Sequence, residues 1–537
     1  MHSALSQVEQ NQIIIELRQE EQAFLYLSPE KLSSEWFTDQ IPHLDVHLVA
    51  IDEAHCISQW GYDFRPGYLK IAEAIKILTC PVIAVTASAT AEVKKDILDL
   101  LEIPEAAQFN TGVYRENLRY HVLYSDDRER NLMNILSKIE GSSILYCKSR
   151  RACQEMTAKC LKNGIKAVYY HAGMSRVERE HAQLQWQNDN YQLMVCTNAF
   201  GMGIDKPNVR NVIHDGAPAS LEAYYQEAGR AGRDNKPADV YLIAAANDKD
   251  FALKQIEQRY QPPINIAKLH QAICNKYRLA KGTFTEQIFE IKIDDFSRKI
   301  ELSYMQIYYS LKLLELSGII KFYEQSYTPS KLRLLKSANH IFQIYETYPE
   351  VEKVLKSMIR IYGADLYDQE VTVNEVQIAR YAEINSEKLT IILRDLVKKG
   401  IIYYFKGTDI PVIRFLTQVP DPQKIPLKKN LIKFLKNRDI ERIEKMYHYI
   451  KDETCKQQLI SSYFGITLPE PCGHCSTCLK EERLTDELLQ IIPEEGITLT
   501  ELKERFSNYS LDHLGQMILK LIEEKKVKKI EDRLFKN

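Results

Sequence analysis

Through residues 23–246 the chain alternates short apolar runs with amphipathic stretches at helical spacing, the βαβ pattern of a parallel sheet with helices on both faces. The spacing predicts strands at 24–27, 48–51, 82–85, 144–146, 167–170, 193–196, 212–214 and 240–244, with the stretch 110–118 joining two halves. A proline pair, Pro262-Pro263, punctuates the end of this region. Beyond it the pattern changes to helices that run into short basic or aromatic strands.

A related phrase recurs at 311–320, 393–402 and 518–527 (LKLLELSGII, LRDLVKKGII, ILKLIEEKKV). A helix with apolar residues at helical spacing, a tight turn and then a strand outline the recognition helix and first wing of a winged-helix module. Gly318 and Gly400 equally suit an ordinary helix C-cap that feeds a packing strand.

At 537 residues the chain is too long for one core and suggests three to five domains at ~100–200 residues each. Hydrophobic content of 45% with 27% charged residues supports packed domains, and no apolar run is long enough to cross a bilayer. Residues 1–7 lack the basic stretch and apolar core of a secretory signal, so a reducing cytoplasmic setting, with no membrane partner, is expected. The net charge of −2 gives no overall basic excess, so any nucleic-acid surface must be a local patch.

Asp52-Glu53-Ala54-His55 follows the apolar run 47–51. Carboxylates at the end of a buried parallel strand face a ligand crevice. In a nucleotide-hydrolysing motor, Asp52 would hold the Mg²⁺ that bridges the β- and γ-phosphates, and Glu53 would orient or deprotonate the attacking water. His55 would relay nucleotide state to a nucleic-acid site. Taken alone, the four residues also read as a solvated acidic strand end. The loop that follows is dense in aromatics: Trp60 and Phe64 could stack on bases while Arg65 meets phosphate, or the three could form a buried cluster. Further on, the spacing of Gln226, Arg230 and Arg233 predicts that they share one helix face, either across a nucleotide cleft or on a solvated surface.

Of the 11 cysteines, four gather late in the chain. Cys472, Cys475 and Cys478 at two-residue intervals, with Cys455 upstream, supply the thiolates of a closed tetrahedral Zn²⁺ site. The run Pro471-Cys472-Gly473-His474-Cys475 has the glycine turn such a knuckle needs. His474 could replace one thiolate, and four cysteines also suit an iron–sulfur cluster. The other cysteines read as small core hydrophobes.

With the acidic motif, the loop 56–66 resembles the aromatic-rich loop of RecQ-type DNA helicases, members of helicase superfamily 2. Thr86-Ala87-Ser88-Ala89-Thr90 is similar to the family motif that couples the two motor halves, and Tyr114-Arg115-Glu116-Asn117-Leu118 to the phrase that opens the second half. The runs 145–151, 170–174, 197–207 and 226–233 match the ordered motifs of that half, and Tyr463-Phe464-Gly465 lies between the first two cysteines as in the RecQ zinc subdomain.

The resemblance implies an ATP-dependent 3′-to-5′ DNA helicase of repair and recombination, with ATP, Mg²⁺ and Zn²⁺ as cofactors. Its partners would be single-stranded DNA and duplex junctions, and in a bacterium it would associate with the nucleoid. It places Gln226, Gly203 and Asp205 at the nucleotide and Trp60, Phe64, Arg65 and Thr197 at DNA. Arg230 or Arg233 would be the arginine finger, worth roughly 10³–10⁵ in rate in comparable enzymes; spacing does not choose between them.

The expected fold is α/β: a partial first RecA-like half at 1–112 and a second at 113–250, then a winged-helix-like accessory region at 251–420. A zinc-binding helical subdomain at 421–480 and a C-terminal winged-helix-like unit at 481–537 complete it. Lys312, Lys321, Phe322 and Tyr323 are candidates for duplex contact.

Three features depart from the family. No Gly-x-x-x-x-Gly-Lys-Ser/Thr phosphate loop occurs in the sequence, and the resemblance begins near 27–32, so Met1 is expected to be internal and the first half to expose apolar surface and be poorly soluble. Tyr62 stands where many relatives carry histidine. Residues 251–449 intervene between motor and zinc cysteines, where the common family order has the zinc module follow directly. The alternative function is a nucleotide-independent DNA-binding or strand-annealing protein derived from a helicase.

Overall fold

The structure, a computed structural model, describes residues 7–32, 34–58, 66–78, 80–201, 204–323, 330–336, 349–363, 365–406, 410–493, 495–506 and 511–536. Two compact units result: Met1–Leu253 with Asn437–Asn537, and Lys254–Lys436.

The first unit is built on a six-stranded sheet. Its strands β3 (Leu118–Tyr124), β4 (Ser142–Tyr146), β5 (Ala167–Tyr170), β6 (Leu193–Cys196), β7 (Val209–Asp215) and β8 (Ala238–Ala244) lie in the order β3-β8-β7-β4-β6-β5, and every pairing is parallel. Helices follow β3, β4, β5, β7 and β8 and cover both faces, so β4 and β6 are buried at every position. That is why these strands read as continuous apolar runs and were legible by length. β3 was not predicted. Its alternation in Leu-Arg-Tyr-His-Val-Leu-Tyr is that of a half-exposed edge strand.

Among the described residues, the preceding stretch contains one two-stranded parallel sheet, β1 (Val49–Ile51) with β2 (Val82–Ala84). Ile51, with Val49, Val82 and Ala84, packs against Ile97 and Val93 of the helix Ala91–Leu100. Leu48, Ile83 and Val85, which alternate with them, are 45–49% exposed. The strand expected at 24–27 does not form. Phe24 and Tyr26 are 90% and 80% exposed, and among the described residues no strand offers them a hydrogen-bonding ladder.

The second unit holds two winged-helix modules, one nested in the other. The first begins with the helix Pro263–Tyr277, so Pro262-Pro263 opens a helix with proline at its first position. It continues through β9 (Ile288–Glu290), the helices Ile293–Ile300 and Tyr304–Leu316, and β10 (Ile320–Tyr323). Its middle strand is β14 (Val412–Phe415), in the order β10-β14-β9. Between β10 and β14 lies the second module: β11 (Ser330–Leu334), β12 (Val371–Val373) and β13 (Ile402–Phe405), in the order β12-β11-β13, with the helices Pro349–Tyr362, Glu375–Tyr381 and Ser386–Lys398. Each module has its own apolar core. The middle strand of the inner module precedes its helices in the chain, whereas that of the outer module follows them, so the inner module is a circular permutation of the same plan.

The third copy of the phrase closes the first unit. The helix Leu511–Glu523 leads into β16 (Val527–Ile530), which pairs with β17 (Arg533–Lys536), itself paired with β15 (Ile497–Thr498). All three copies therefore share one helix–turn–strand geometry. Gly318, Gly400 and, in the third, Lys525 turn the corner at φ +74°, +63° and +56°. The first corner also fixes two of the candidate DNA contacts. Lys312 and Lys321 pair with Glu315 at 3.2 and 3.1 Å, while the Phe322 amide donates to the same carboxylate at 3.1 Å.

His270 lies fully buried in the outer module, beside Cys274 and the ring of Phe415. Burial lowers its pKa to about 4. The unfolded chain takes up this proton near pH 6.5 and the folded one does not, so stability should fall as pH drops from 6.5 towards 4, by about 3 kcal/mol at most. Urea midpoints across this range should show that slope flattened in His270→Phe.

Candidate active site and metal centre

The acid pair sits where the sequence predicts, directly after β1. Glu53 adopts a left-handed φ of +49°, and its backbone N–H donates to Asp52 Oδ1 at 2.8 Å. The Tyr68 hydroxyl donates to the Asp52 carbonyl at 3.1 Å, and Ala54 N–H donates to Val85 O at 3.0 Å. These contacts lock the turn to the neighbouring strand. Asp52 is left exposed at the carboxyl end of a parallel strand, an oxygen donor suited to a hard cation such as Mg²⁺.

His55 is buried, and its Nδ1 lies 3.2 Å from Glu53 Oε2 and 3.0 Å from Thr86 Oγ1. Thr86 Oγ1 accepts from Ser88 N–H at 3.4 Å, and Ser88 Oγ accepts from Gln226 Nε2 at 2.9 Å. A continuous polar thread thus joins the acidic motif to the last motif, 138 residues apart at its closing bond.

The last motif is not a single helix. Its helix runs Leu221–Ala228, started by a Ser220 side-chain cap, and Gly229 ends it. The prediction that Gln226, Arg230 and Arg233 share a helix face is therefore corrected: only Gln226 is helical, and the arginines occupy the turn that follows. Within that turn Gly232 has φ +56°, and a Cβ there would lie 2.4 Å from Asn117 Nδ2 and 2.9 Å from Lys236 O. The turn separates the two guanidiniums. Arg230 lies over Gly201, with Nη2 3.1 Å from where a Cβ would stand, whereas Arg233 pairs with the exposed Asp205 at 2.9 Å. Thr197 follows β6 and accepts from Ala199 N–H at 3.4 Å. Trp60, Phe64, Arg65 and Gly203 lie outside the described residues.

Several residues of the recognised motifs turn out to support the site and were not singled out. Arg115 and Asn117 donate to Gly232 O at 2.7 and 2.8 Å, which anchors the arginine turn to the entry of β3. Lys206 is 6% exposed and caps the helix Arg176–Gln187 by donating to Gln187 O at 2.8 Å and Asp189 Oδ1 at 2.7 Å. No local sequence signal marks these roles, because each of these partners lies at least 17 residues away in the chain.

The four late cysteines converge. Their sulfurs all lie within 4.8 Å of one another. Cys455 and Cys475 each occupy the N-cap of a helix, Lys456–Tyr463 and Ser476–Ile491, where helix dipoles favour thiolate. Cys472 N–H donates to Cys455 Sγ at 3.2 Å and Lys456 N–H to Cys475 Sγ at 3.4 Å. Hydrogen bonding from Cys472 draws the Cys455 thiol down to about 6. Four soft donors with amide-stabilised charge fit Zn²⁺, which they would hold as a structural, closed site. His474 does not join them: its Nε2 lies 3.2 Å from Leu118 O.

The metal region also closes the sheet. Leu118 O accepts from Gln457 Nε2 at 3.0 Å as well, and Val122 N–H donates to Ser476 Oγ at 3.2 Å. Side chains thus meet two backbone groups, Leu118 O and Val122 N–H, on the outer edge of β3. The helix that begins at Ser476 then contributes Leu484 and Leu488 to the core of the C-terminal winged-helix unit.

Parallel-sheet halves bearing this ordered set of motifs define a superfamily 2 helicase motor. Comparison with known families agrees along the chain. The DEAD/DEAH box helicase family matches residues 1–97, the helicase conserved C-terminal domain 127–235, the RecQ helicase winged-helix domain of Bacteroidota 332–406, and the RecQ zinc-binding domain 409–479. Together these matches support a helicase of RecQ type. It is 40% identical over 230 residues to a probable ATP-dependent DNA helicase RecS of Bacillus subtilis, covering 42% of this chain and 46% of that protein. With the ATP-dependent DNA helicase RecQ of the same organism it shares 39% identity over 254 residues, 46% of this chain and 43% of the relative. A putative ATP-dependent DNA helicase Q1 of Caenorhabditis briggsae is 42% identical over 274 residues, 49% and 43%. The matches span less than half the length of these relatives.

Two outcomes follow from this geometry. Freshly purified chain should hold one Zn²⁺, and Cys475→Ser should lower that content and the urea midpoint together, as read by metal analysis and denaturation. Lys206→Met should destabilise the first unit by about 1.5–3 kcal/mol through loss of charged hydrogen bonds to the helix end, measured as a shift in the same midpoint.

Proposed function

We propose that this chain is part of an ATP-dependent 3′-to-5′ DNA helicase of RecQ type that acts in DNA repair and recombination in the cytoplasm. The observation that supports the reading most directly is the polar thread Glu53–His55–Thr86–Ser88–Gln226. It ties the carboxylate suited to activating water to the element that bears the arginines. A change in nucleotide state at one end would thereby shift the other half of the motor.

In this reading Glu53 orients the attacking water and Asp52 holds the metal. Bound Mg²⁺ would neutralise charge on the β- and γ-phosphates. Arg230 and Arg233 face the γ-phosphate from the turn after Ala228. Arg233 is the finger, because its guanidinium is exposed and its exposed partner Asp205 can release it, while Arg230 is held at Gly201. Gln226 and Asp205 line the nucleotide side of the cleft. Trp60, Phe64, Arg65 and Thr197 contact the single strand, and the winged-helix modules grip duplex. Lys312 and Lys321 contribute less to that grip than other basic residues, since Glu315 neutralises part of their charge.

An arginine finger and a water-positioning carboxylate act on phosphates that something else must hold. The 537 residues contain no Gly-x-x-x-x-Gly-Lys-Ser/Thr loop. This chain by itself should therefore bind DNA, with affinity that falls as salt rises, yet hydrolyse ATP at or near background with or without single-stranded DNA. Phosphate release measured beside a Glu53→Gln control decides the matter. A DNA-stimulated rate that disappears in Glu53→Gln would show that the phosphates are held by other residues of the chain, and absence of DNA binding would sink the helicase reading.

A further inference from the structure

The helix Leu221–Ala228 and the arginine turn after it are braced from outside by the metal-binding region. At the helix start the Tyr463 hydroxyl donates to Glu222 Oε1 at 2.7 Å, and Glu222 is 4% exposed. Along the helix, the Tyr224 and Tyr449 rings lie 5.4 Å apart and those of Tyr225 and Phe464 5.0 Å apart. Beyond its end the brace passes through β3. Gln457 Nε2 donates to Arg115 O at 2.8 Å and Leu118 O at 3.0 Å, and the Arg115 guanidinium donates to Gly232 O at 2.7 Å.

Gln457 stands two residues after the ligand Cys455, and the amide of Lys456 between them donates to Cys475 Sγ. Its own amide group has two N–H donors, and the two carbonyls that receive them belong to the entry of β3. Gln457 is 2% exposed, and its truncation would remove the contact that ties the two carbonyls together, leaving Arg115 O with Leu118 N–H at 3.1 Å and Leu118 O with His474 Nε2 at 3.2 Å. The strain would fall on Arg115, the residue whose side chain holds the turn.

We propose that Gln457 and Tyr463 are positioning residues for Arg230 and Arg233, so that the metal-held region sets the geometry of the arginine turn. The catalytic meaning of this rests on the reading that those arginines meet the γ-phosphate. Neither Gln457 nor Tyr463 touches nucleotide. They fix the two ends of the element that does, and a small displacement of such groups is expensive because catalysis depends on their alignment.

Site-resolved amide hydrogen exchange on the full chain tests the coupling without nucleotide or DNA. The reporters are Ala231 N–H, bonded to Ala228 O at 3.0 Å, and Gly232 N–H, bonded to Val209 O at 2.9 Å. In Gln457→Ala, in Tyr463→Phe and in chelator-treated wild type, both should exchange at least about tenfold faster through local opening. Amides of β4 and β6 should keep their rates, and both variants should keep one Zn²⁺ per chain. Unchanged reporters in both variants, or reporters that speed up only in step with β4 and β6, would overturn the proposal, since a merely structural contact lowers stability everywhere. Failure of the helicase reading shows separately, as absence of DNA binding, and leaves the exchange result standing.

Discussion

A parallel sheet needs both faces covered and its edges protected, and the outer edge of β3 is where this molecule meets that demand in an unusual way. Two of its backbone groups, Leu118 O and Val122 N–H, are met by the side chains of Gln457, His474 and Ser476, all close in sequence to metal ligands. An unprotected edge would invite pairing with another chain. Such a cysteine cluster is organised by its metal, so a bound Zn²⁺ would also steady the side chains that meet this edge. The same region also lies against the helix that leads to the arginine turn.

Chemistry in the motor is arranged at strand ends. Asp52 and Glu53 follow β1, and their turn is tied to the end of β2 through Ala54 and Val85. Thr86 and Ser88, just beyond β2, carry polar contact from His55 to Gln226. Short side chains spaced by hydrogen-bond lengths leave little slack in such a thread, and a buried, satisfied chain of this kind is more rigid than its members taken singly.

Nesting of one winged-helix module in another has a simple physical basis. The strands β10 and β14 pair although residues 324–411 separate them, and an inserted module whose own ends lie close together lengthens that connection at little entropic cost. Here the ends are β11 and β13, adjacent in one sheet. Each module keeps a separate apolar core, so the inner one does not interrupt the packing of the outer.

The amino-acid sequence by itself determined the buried strands, the three helix–turn–strand phrases and the metal ligands, because each is marked by local periodicity or by spacing within a few residues. Tertiary structure decided the rest. The edge strand β3 escaped notice because its burial is partial and its partners, Gln457 and Ser476, lie more than 300 residues away. The helix ends at Ala228, before both arginines, and the close approach of Asn117 and Lys236 to Gly232 in the turn beyond exists only when those segments meet. Lys206, which nothing in its motif singles out, caps a helix whose end lies 19 residues away in the chain. Local pattern specifies what a segment can form, whereas edge closure, the path of a turn and the partner of a charge depend on segments that only folding brings together.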